Sequence, residues 1–406
     1  MALRIVHFST TRLAGGPWRL VKATREHSPH DVRLVDQTRW GVYPHDVVHD
    51  EQPELALELA EQADIIHFHN YLDYQSEAFR PIDFEALRRK GKAFVRQFRS
   101  DAPLIARRMG IPIEQLIWSP IPSIVIAQYP ERFFPQARVV PNVVPINDHD
   151  YLPADEPVQH DLLFTPTRRS SAWATRWATK GFPETVEMMQ RVARRSGCSM
   201  RVINGRPLSE VLAAKNRCRL VLDDMITGSY HVSGIEALSK AKPVLCFLDP
   251  RIETVLRQIS GAFQSPFINA RLEEAEAILV ELLRHPEALR ELGQEGRTWV
   301  ERYWSPASTI AHYLEVYESL LRDPTSVRRQ ESLRIDGPAR RFLAFDMHDQ
   351  IYQARAEHHR ESVSRSFRAA RAIRSSYRHF RDILRRLRLR PQRSLALVST
   401  LPDAKH

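Results

Sequence analysis

The sequence predicts an α/β chain of two consecutive parallel-sheet units followed by a basic helical extension. Three observations point there. Short apolar runs alternate with segments of helical spacing in two successive series, a polar proline-bearing stretch separates the series, and the excess positive charge sits at the end of the chain. Strands that alternate with helices pair in parallel through crossover connections. At 406 residues the chain exceeds the ~150-residue domain prior, which leaves room for two domains and additional material. With 43% hydrophobic residues and only 14 glycines, collagen-like and glycine-rich disordered classes are excluded.

In the first series Leu3–Phe8, Val32–Val35, Ile65–His69, Ala93–Phe98 and Ser123–Ala127 have strand character, with Glu54–Ala63 and Ile82–Arg89 as helices between them. A proline-punctuated exit, Val139 to Pro145, follows. The polar stretch Asp148–Gln159 then reads as a linker. The second series places strands at Asp161–Thr165, Met200–Asn204, Leu220–Asp223 and Pro243–Leu248, with helices at Pro183–Ser196, Leu208–Asn216 and Ser233–Ser239. Leu272–Arg284 reads as a helix ending before Pro286, and Thr298–Leu321 as one longer helix rich in aromatic residues. From Val363 to Leu387 apolar residues step by three or four among arginines, the pattern of one amphipathic basic helix.

Residues 322–406 hold 20 basic and 9 acidic side chains, whereas the preceding residues hold 39 and 40. A neutral body is unlike a dedicated nucleic-acid-binding domain; the basic tail suits anionic lipid, nucleic acid or an acidic partner. Cys198, Cys218 and Cys246 lack the spacing of a disulfide framework. No signal-peptide core and no spanning run of about 18 apolar residues is present. A cytoplasmic protein, peripheral at most on the inner face of a membrane, is the expectation.

Ligands of open α/β sheets collect beyond the carboxyl ends of the strands. After the first strand come Gly15 and Gly16, entering a helix, as an acceptor-side or phosphate-binding loop or as a plain turn. His67 and His69 share one face of the third strand; His67 reads as a core histidine, and His69, nearer the strand's end, as either a core histidine or a group of the active site. No third ligand with metal spacing follows them, so no metal is expected. In the second half Arg168 and Lys180 are candidates to neutralise a diphosphate; Lys180 is one of only 8 lysines and precedes a glycine at a helix start. Beyond the strand ending in Asp223 and Asp224, Ser233 and Glu236 fit either a capping box or a site. In the site reading the amides of Ser233 and Gly234 face phosphate and Glu236 accepts from ribose hydroxyls.

The segment Gly228–Val244, with a glycine loop, a Glu236-Ala237-Leu238 helix start and a Lys242-Pro243-Val244 strand, resembles the donor site of GT-B glycosyltransferases of the family-4 type. The strand Asp64–His69, the exit around Asn142 and the closing Trp299–Ser305 are similar to that superfamily, over roughly residues 3–321. The resemblance implies two Rossmann-like domains facing a cleft. These are an acceptor domain (1–155) and a nucleotide-sugar donor domain (156–300), followed by a helix that crosses back (301–322) and the basic tail (323–406). It assigns Lys180 and Arg168 to the diphosphate, with Arg169 as an alternative to Arg168. Glu236 goes to the ribose, Asn204 and Gly205 to the base wall, and His69 to the sugar. Gly228 stands where the family has the first glutamate of its Glu-x7-Glu motif, so Asp223 or Asp224 is expected to substitute, with Asp224 as the catalytic candidate. The implied activity is metal-independent, retaining sugar transfer from a nucleoside-diphosphate sugar, without a separate cofactor, in surface-polysaccharide or glycolipid assembly. A nucleotide-sugar 2-epimerase of the same fold, and a non-catalytic scaffold or RNA-binding protein on that fold, are the competing readings.

Overall fold

Valine, isoleucine, leucine and phenylalanine occupy both faces of the short strands, a composition that suits parallel sheets covered by helices on each side. The structure, a computed structural model, describes residues 2–41, 43–166, 169, 180–328 and 337–388. The first sheet contains β1 (Arg4–Ser9), β2 (Asp31–Asp36), β3 (Val47–Val48), β4 (Ile65–His69), β5 (Ala93–Phe98), β6 (Ser123–Ile126) and β7 (Arg138–Val140). Their spatial order is β3-β2-β1-β4-β5-β6-β7, all parallel, with His7 of β1 in register with His67 of β4. The second contains β8 (His160–Phe164), β9 (Met200–Val202), β10 (Cys218–Leu222), β11 (Val244–Cys246) and β12 (Ile268–Asn269) in the order β12-β11-β10-β8-β9. The chain reverses its direction of strand addition between β1 and β4 and between β8 and β10. Crevices open at such switch points.

The expected single helix over Thr298–Leu321 is instead two, Pro286–Tyr303 and Pro306–Arg322. Pro306 cannot donate to an earlier turn, and Ser305 caps the new helix through its Oγ, 3.2 Å from the amide of Ser308. The break redirects the chain. Ile310, Tyr313, Val316, Tyr317 and Leu320 of the second helix are buried with Ile5, Leu20, Leu34, Ile65 and Val95 of the first-sheet layer. Trp304 Nε1 donates to the carbonyl of Asn142 at 2.9 Å, and Tyr313 Oη donates to that of Pro141 at 2.8 Å.

The two sheets share apolar packing that runs from Phe98, Phe134 and Tyr151 to Tyr230, Phe267 and Trp304. Two interior ion pairs cross the same boundary, Arg132–Asp249 at 2.6 Å and Arg251–Glu131 at 2.5 Å. Residues 1–349 form one compact unit and 350–406 a second. The amphipathic pattern expected over Val363–Leu387 is the single helix Arg365–Arg388, which another helix, Met347–Val363, precedes.

Candidate functional site

At the second switch point, Lys180 and Gly181 both adopt left-handed backbone angles, with φ of 51° and 63°. A Cβ at Gly181 would stand 2.5 Å from Ile226 Cδ1, so glycine is required for this bend. The bend starts the helix Phe182–Ser196 and turns Lys180 inward, where Nζ lies 2.6 Å from Asp223 Oδ1. Burial alone would raise the Asp223 carboxyl. The charges of Lys180 and His231 and their hydrogen bonds outweigh it and hold the group below the usual carboxylate range. Asp223 Oδ2 also accepts the amide of His231 at 2.6 Å.

Asp224, the catalytic candidate, is hydrogen-bonded within its own loop. Its Oδ1 accepts the amides of Ile226 and Thr227, each at 2.9 Å, and its Oδ2 meets the Thr227 hydroxyl and lies 3.2 Å from His231 Nε2. The carboxylate organises its own loop. Gly234 likewise gives its amide to the carbonyl of His231 at 3.0 Å, and its missing Cβ makes room for Asp223 Oδ2, which would sit 2.7 Å away. That amide is therefore committed within the helix start rather than offered to a phosphate. Ser233 Oγ lies 2.7 Å from Thr165 Oγ1 at the end of β8.

The capping box does not form. The helix Val232–Ser239 begins one residue earlier, with His231 at its N-cap, so Glu236 lies beyond the box position. Its carboxylate instead lies between two cations, with Lys215 Nζ 2.7 Å from Oε2 and Arg19 Nη2 3.1 Å from Oε1. Burial pushes the group up, but Lys215 and Arg19 more than reverse this and keep it ionised. Lys215 reaches this point from the end of the helix Leu208–Asn216, and Arg19 from the helix Gly16–His27 over the first sheet. The edges of the two sheets thus meet at Glu236. Nearby, Gln128 Nε2 donates to the carbonyl of Tyr230 at 2.5 Å across the same junction.

In the first sheet the glycine pair closes on protein. The amides of Gly15 and Gly16 donate to the carbonyls of Arg12 and Leu13 in a tight turn, which leaves neither for an anion. Gly16 is needed for another reason: a Cβ there would lie 2.5 Å from Arg99 Nη1. Beside it the rings of His7, His67 and His69 are in contact, with centroids 4.2 to 5.3 Å apart, and all three are fully buried. His7 Nδ1 is 3.1 Å from His69 Nε2, and Tyr317 Oη lies 2.9 Å from His67 Nδ1. His69 is at 0% exposure, the enclosure expected of its core reading. Burial depresses all three imidazoles, His67 to about 3, and the nearby charge of Arg99 adds to the effect.

His7 supplies the third imidazole that the spacing of His67 and His69 lacked. One nitrogen from each ring lies within 4.8 Å of the others, a possible donor set for a metal ion. The charge of Arg99 opposes a dication there, and no carboxylate hydrogen-bonds to these rings among the described residues.

The base-wall pair lies after β9. Asn204 Nδ2 donates to the carbonyl of Pro166 at 2.8 Å, and Gly205 turns with φ 68° with open space where a Cβ would be. Arg168 lies outside the described residues. Its alternative Arg169 places its guanidinium 5.9 Å from the ring centroid of Phe182. The structure thus brings Lys180, Asp223, Ser233, Gly234 and Glu236 to one edge and the glycine pair to the facing edge, while Asp224 is hydrogen-bonded within its loop and His69 lies against His7 and His67. Arg19, Lys215 and Arg99 had not been singled out. Lys215 carried a usable signal, since it too is one of the few lysines, whereas Arg19 and Arg99 are two among 51 arginines.

No protein-family model matches the chain, and no curated protein matches its sequence. Solved structures do match its fold. An α-glucosyltransferase in complex with UDP and a 13-mer DNA aligns with a TM-score of 0.55 at 11% identity, covering 78% of this chain and 99% of that one. An α-glucosyltransferase in complex with UDP-glucose and DNA containing an abasic site gives 0.53 at 12% identity, over 78% and 100%. The chain has the GT-B fold. A sucrose-phosphate synthase from Thermosynechococcus elongatus is similar at 0.48 and 12% identity, over 78% and 99%. In GT-B terms β1–β7 form the N-terminal domain, β8–β12 the C-terminal domain, and Pro306–Arg322 the helix that returns to the first.

Proposed function

We propose that this GT-B chain is a glycosyltransferase that takes a sugar from a nucleoside-diphosphate donor and passes it to an acceptor held by the N-terminal domain. The observation that supports this reading is the junction of the two switch points, where Lys180, Lys215 and Arg19 surround the paired carboxylates of Asp223 and Glu236. A diphosphate entering there would compete with Asp223 for Lys180. Glu236, anchored by Lys215, would accept hydrogen bonds from ribose hydroxyls in place of its bond from Arg19. Charge on the leaving phosphate would be met by side chains, with no metal required. Asp224 is committed to its loop, so the acceptor proton would pass to the leaving phosphate, consistent with retention of configuration.

Thermal unfolding with a panel of uridine, guanosine and adenosine diphosphates tests the reading, because a ligand of the native state raises its apparent stability. One nucleotide is expected to raise the midpoint clearly above the others. Product analysis with the corresponding sugar donors then separates transfer to an acceptor from donor isomerisation. The absence of any nucleotide response would sink the reading.

The tail fits attachment to an anionic lipid surface beside a lipid-linked acceptor, as in surface-polysaccharide or glycolipid assembly. Along the helix Arg365–Arg388 the side chains of Ile373, Tyr377, Phe380 and Ile383 are exposed and recur every three or four residues, and nine arginines accompany them. Each basic group near such a surface contributes about 1 kcal/mol. No helix among the described residues is long and apolar enough to cross a membrane. Sedimentation with phosphatidylserine vesicles is expected for the full chain and should be lost when Arg368, Arg374, Arg378 and Arg381 become glutamine. Equal sedimentation of both proteins would remove this part of the proposal.

A further inference from the structure

Arg99 follows the last residue of β5, at the carboxyl edge of the first sheet where its ligands would collect. Its Nη1 donates to Asn142 Oδ1 at 3.1 Å, and its Nη2 to Gln97 Oε1 at 3.1 Å and to the carbonyl of Gly16 at 3.4 Å. Its Nε is buried without a partner. Every acceptor it has is neutral, and no ion pair to it occurs among the described residues. Arg19, Arg132, Arg251 and Arg297 each face a carboxylate, of Glu236, Asp249, Glu131 and Glu301, whereas Arg96, within β5, has like Arg99 a neutral acceptor only, Ser119 Oγ at 2.8 Å. The surroundings also repel positive charge, since Arg19 lies close enough to oppose Arg99 and the three imidazoles beside it are neutral. Arg99 is half-buried, with its Nε enclosed, and a guanidinium drawn partly out of water with no anion beside it is unfavourable.

We propose that Arg99 is a receiving group for a substrate oxyanion, a phosphate bound at the carboxyl edge of the first sheet between Gly16 and the domain junction. This deepens the glycosyltransferase reading and rests on it for the identity of the substrate. The phosphate is either the diphosphate of the donor or a phosphate carried by the acceptor, and the same guanidinium fork serves both. The unpartnered Nε and the weakly held Nη2 are the donors available to it. Gly16 keeps the backbone low enough for the guanidinium to lie over the turn.

The test uses the full-length protein and the variants Arg99→Gln and Arg99→Lys. Thermal unfolding is measured without ligand and against titrations of pyrophosphate, the nucleoside diphosphates and glucose 1-phosphate. Arg99→Gln is expected to unfold at or above the wild-type midpoint, because it removes an uncompensated charge, while losing at least about tenfold in affinity for one of these oxyanions. Arg99→Lys should keep part of that affinity. A loss confined to nucleoside diphosphates assigns the phosphate to the donor, and one confined to glucose 1-phosphate assigns it to the acceptor. Unchanged affinities in Arg99→Gln, a failure of that variant to fold, or no oxyanion response in the wild type would each overturn the proposal. A wild type that binds pyrophosphate through Arg99 but no nucleoside diphosphate would instead leave Arg99 in place and remove the nucleotide-sugar reading.

Discussion

Acidification should destabilise the body steeply, and the magnitude follows from three residues. His7, His67 and His69 have no exposed surface, and burial holds each imidazole neutral well below its ordinary value of 6.5. In the unfolded chain the same rings take up protons as the pH passes 6.5. The native state binds fewer protons than the unfolded state in this window, so the stability these groups contribute is present above the unfolded value and is lost as the pH falls toward the folded values. From about pH 7.5 to pH 5.5 each ring loses roughly one RT ln 10 of stability, and the three together about 4 kcal/mol. That is a large share of the ~5–15 kcal/mol typical of folded domains. Urea denaturation followed by tryptophan fluorescence at several pH values measures it, since the aromatic helices report the transition. Replacing His69 by glutamine should remove about a third of the pH dependence. A stability that stays flat between those pH values, or an undiminished slope in the His69→Gln variant, would show that the trio titrates normally and that the burial argument is wrong.

Lys180→Met should weaken binding of nucleoside diphosphate far more than of nucleoside, as judged by isothermal titration. It also strands the Asp223 charge, so it should cost about 3–5 kcal/mol of stability that Asp223→Asn partly restores in the double variant. Glu236→Gln leaves Lys215 and Arg19 facing a neutral amide. It should lower the unfolding midpoint as well as donor affinity, whereas a capping role alone would leave the midpoint near wild type. Ser305→Ala removes the cap of the returning helix and should cost about 1 kcal/mol in chemical denaturation.

The alternation of strands and helices was legible because each element carries its own period. Ile65–His69 and Ala93–Phe98 coincide with β4 and β5, and Leu208–Asn216 coincides with a helix. What escaped included the helix Pro250–Ser260, despite its Asp249 cap and closing Gly261, and elements that were short or governed by distant partners. Val47–Val48 and Ile268–Asn269 are two-residue strands whose only reason to be strands is the neighbour they pair with. The break after Tyr303 was signalled by Ser305 and Pro306, but the aromatic periodicity across them masked it. For the site, Asp223 follows a strand end and Lys180 precedes a glycine at a helix start, and the fold places these two singled-out residues 2.6 Å apart. Sequence spacing could not show that Glu236 pairs with Arg19, which is 217 residues away, nor that His7 joins His67 and His69 from the adjacent strand. It also suggested a capping box where the fold places an ion cluster.

The return of Pro306–Arg322 to the first sheet has a consequence for how the protein is made. A ribosome delivers the seven strands of the N-terminal domain long before it delivers Tyr313, Val316 and Tyr317, which complete that domain's packing. At a synthesis rate of about 5–20 residues per second, the first sheet waits on the order of ten to thirty seconds with part of one apolar face uncovered beside the helix Gly16–His27. During that interval it is a nascent layer awaiting its last component, while the second sheet can assemble from contiguous residues. Early termination before Pro306 would therefore damage the domain furthest from the lesion in sequence, and the first half of the chain on its own would be the half that aggregates.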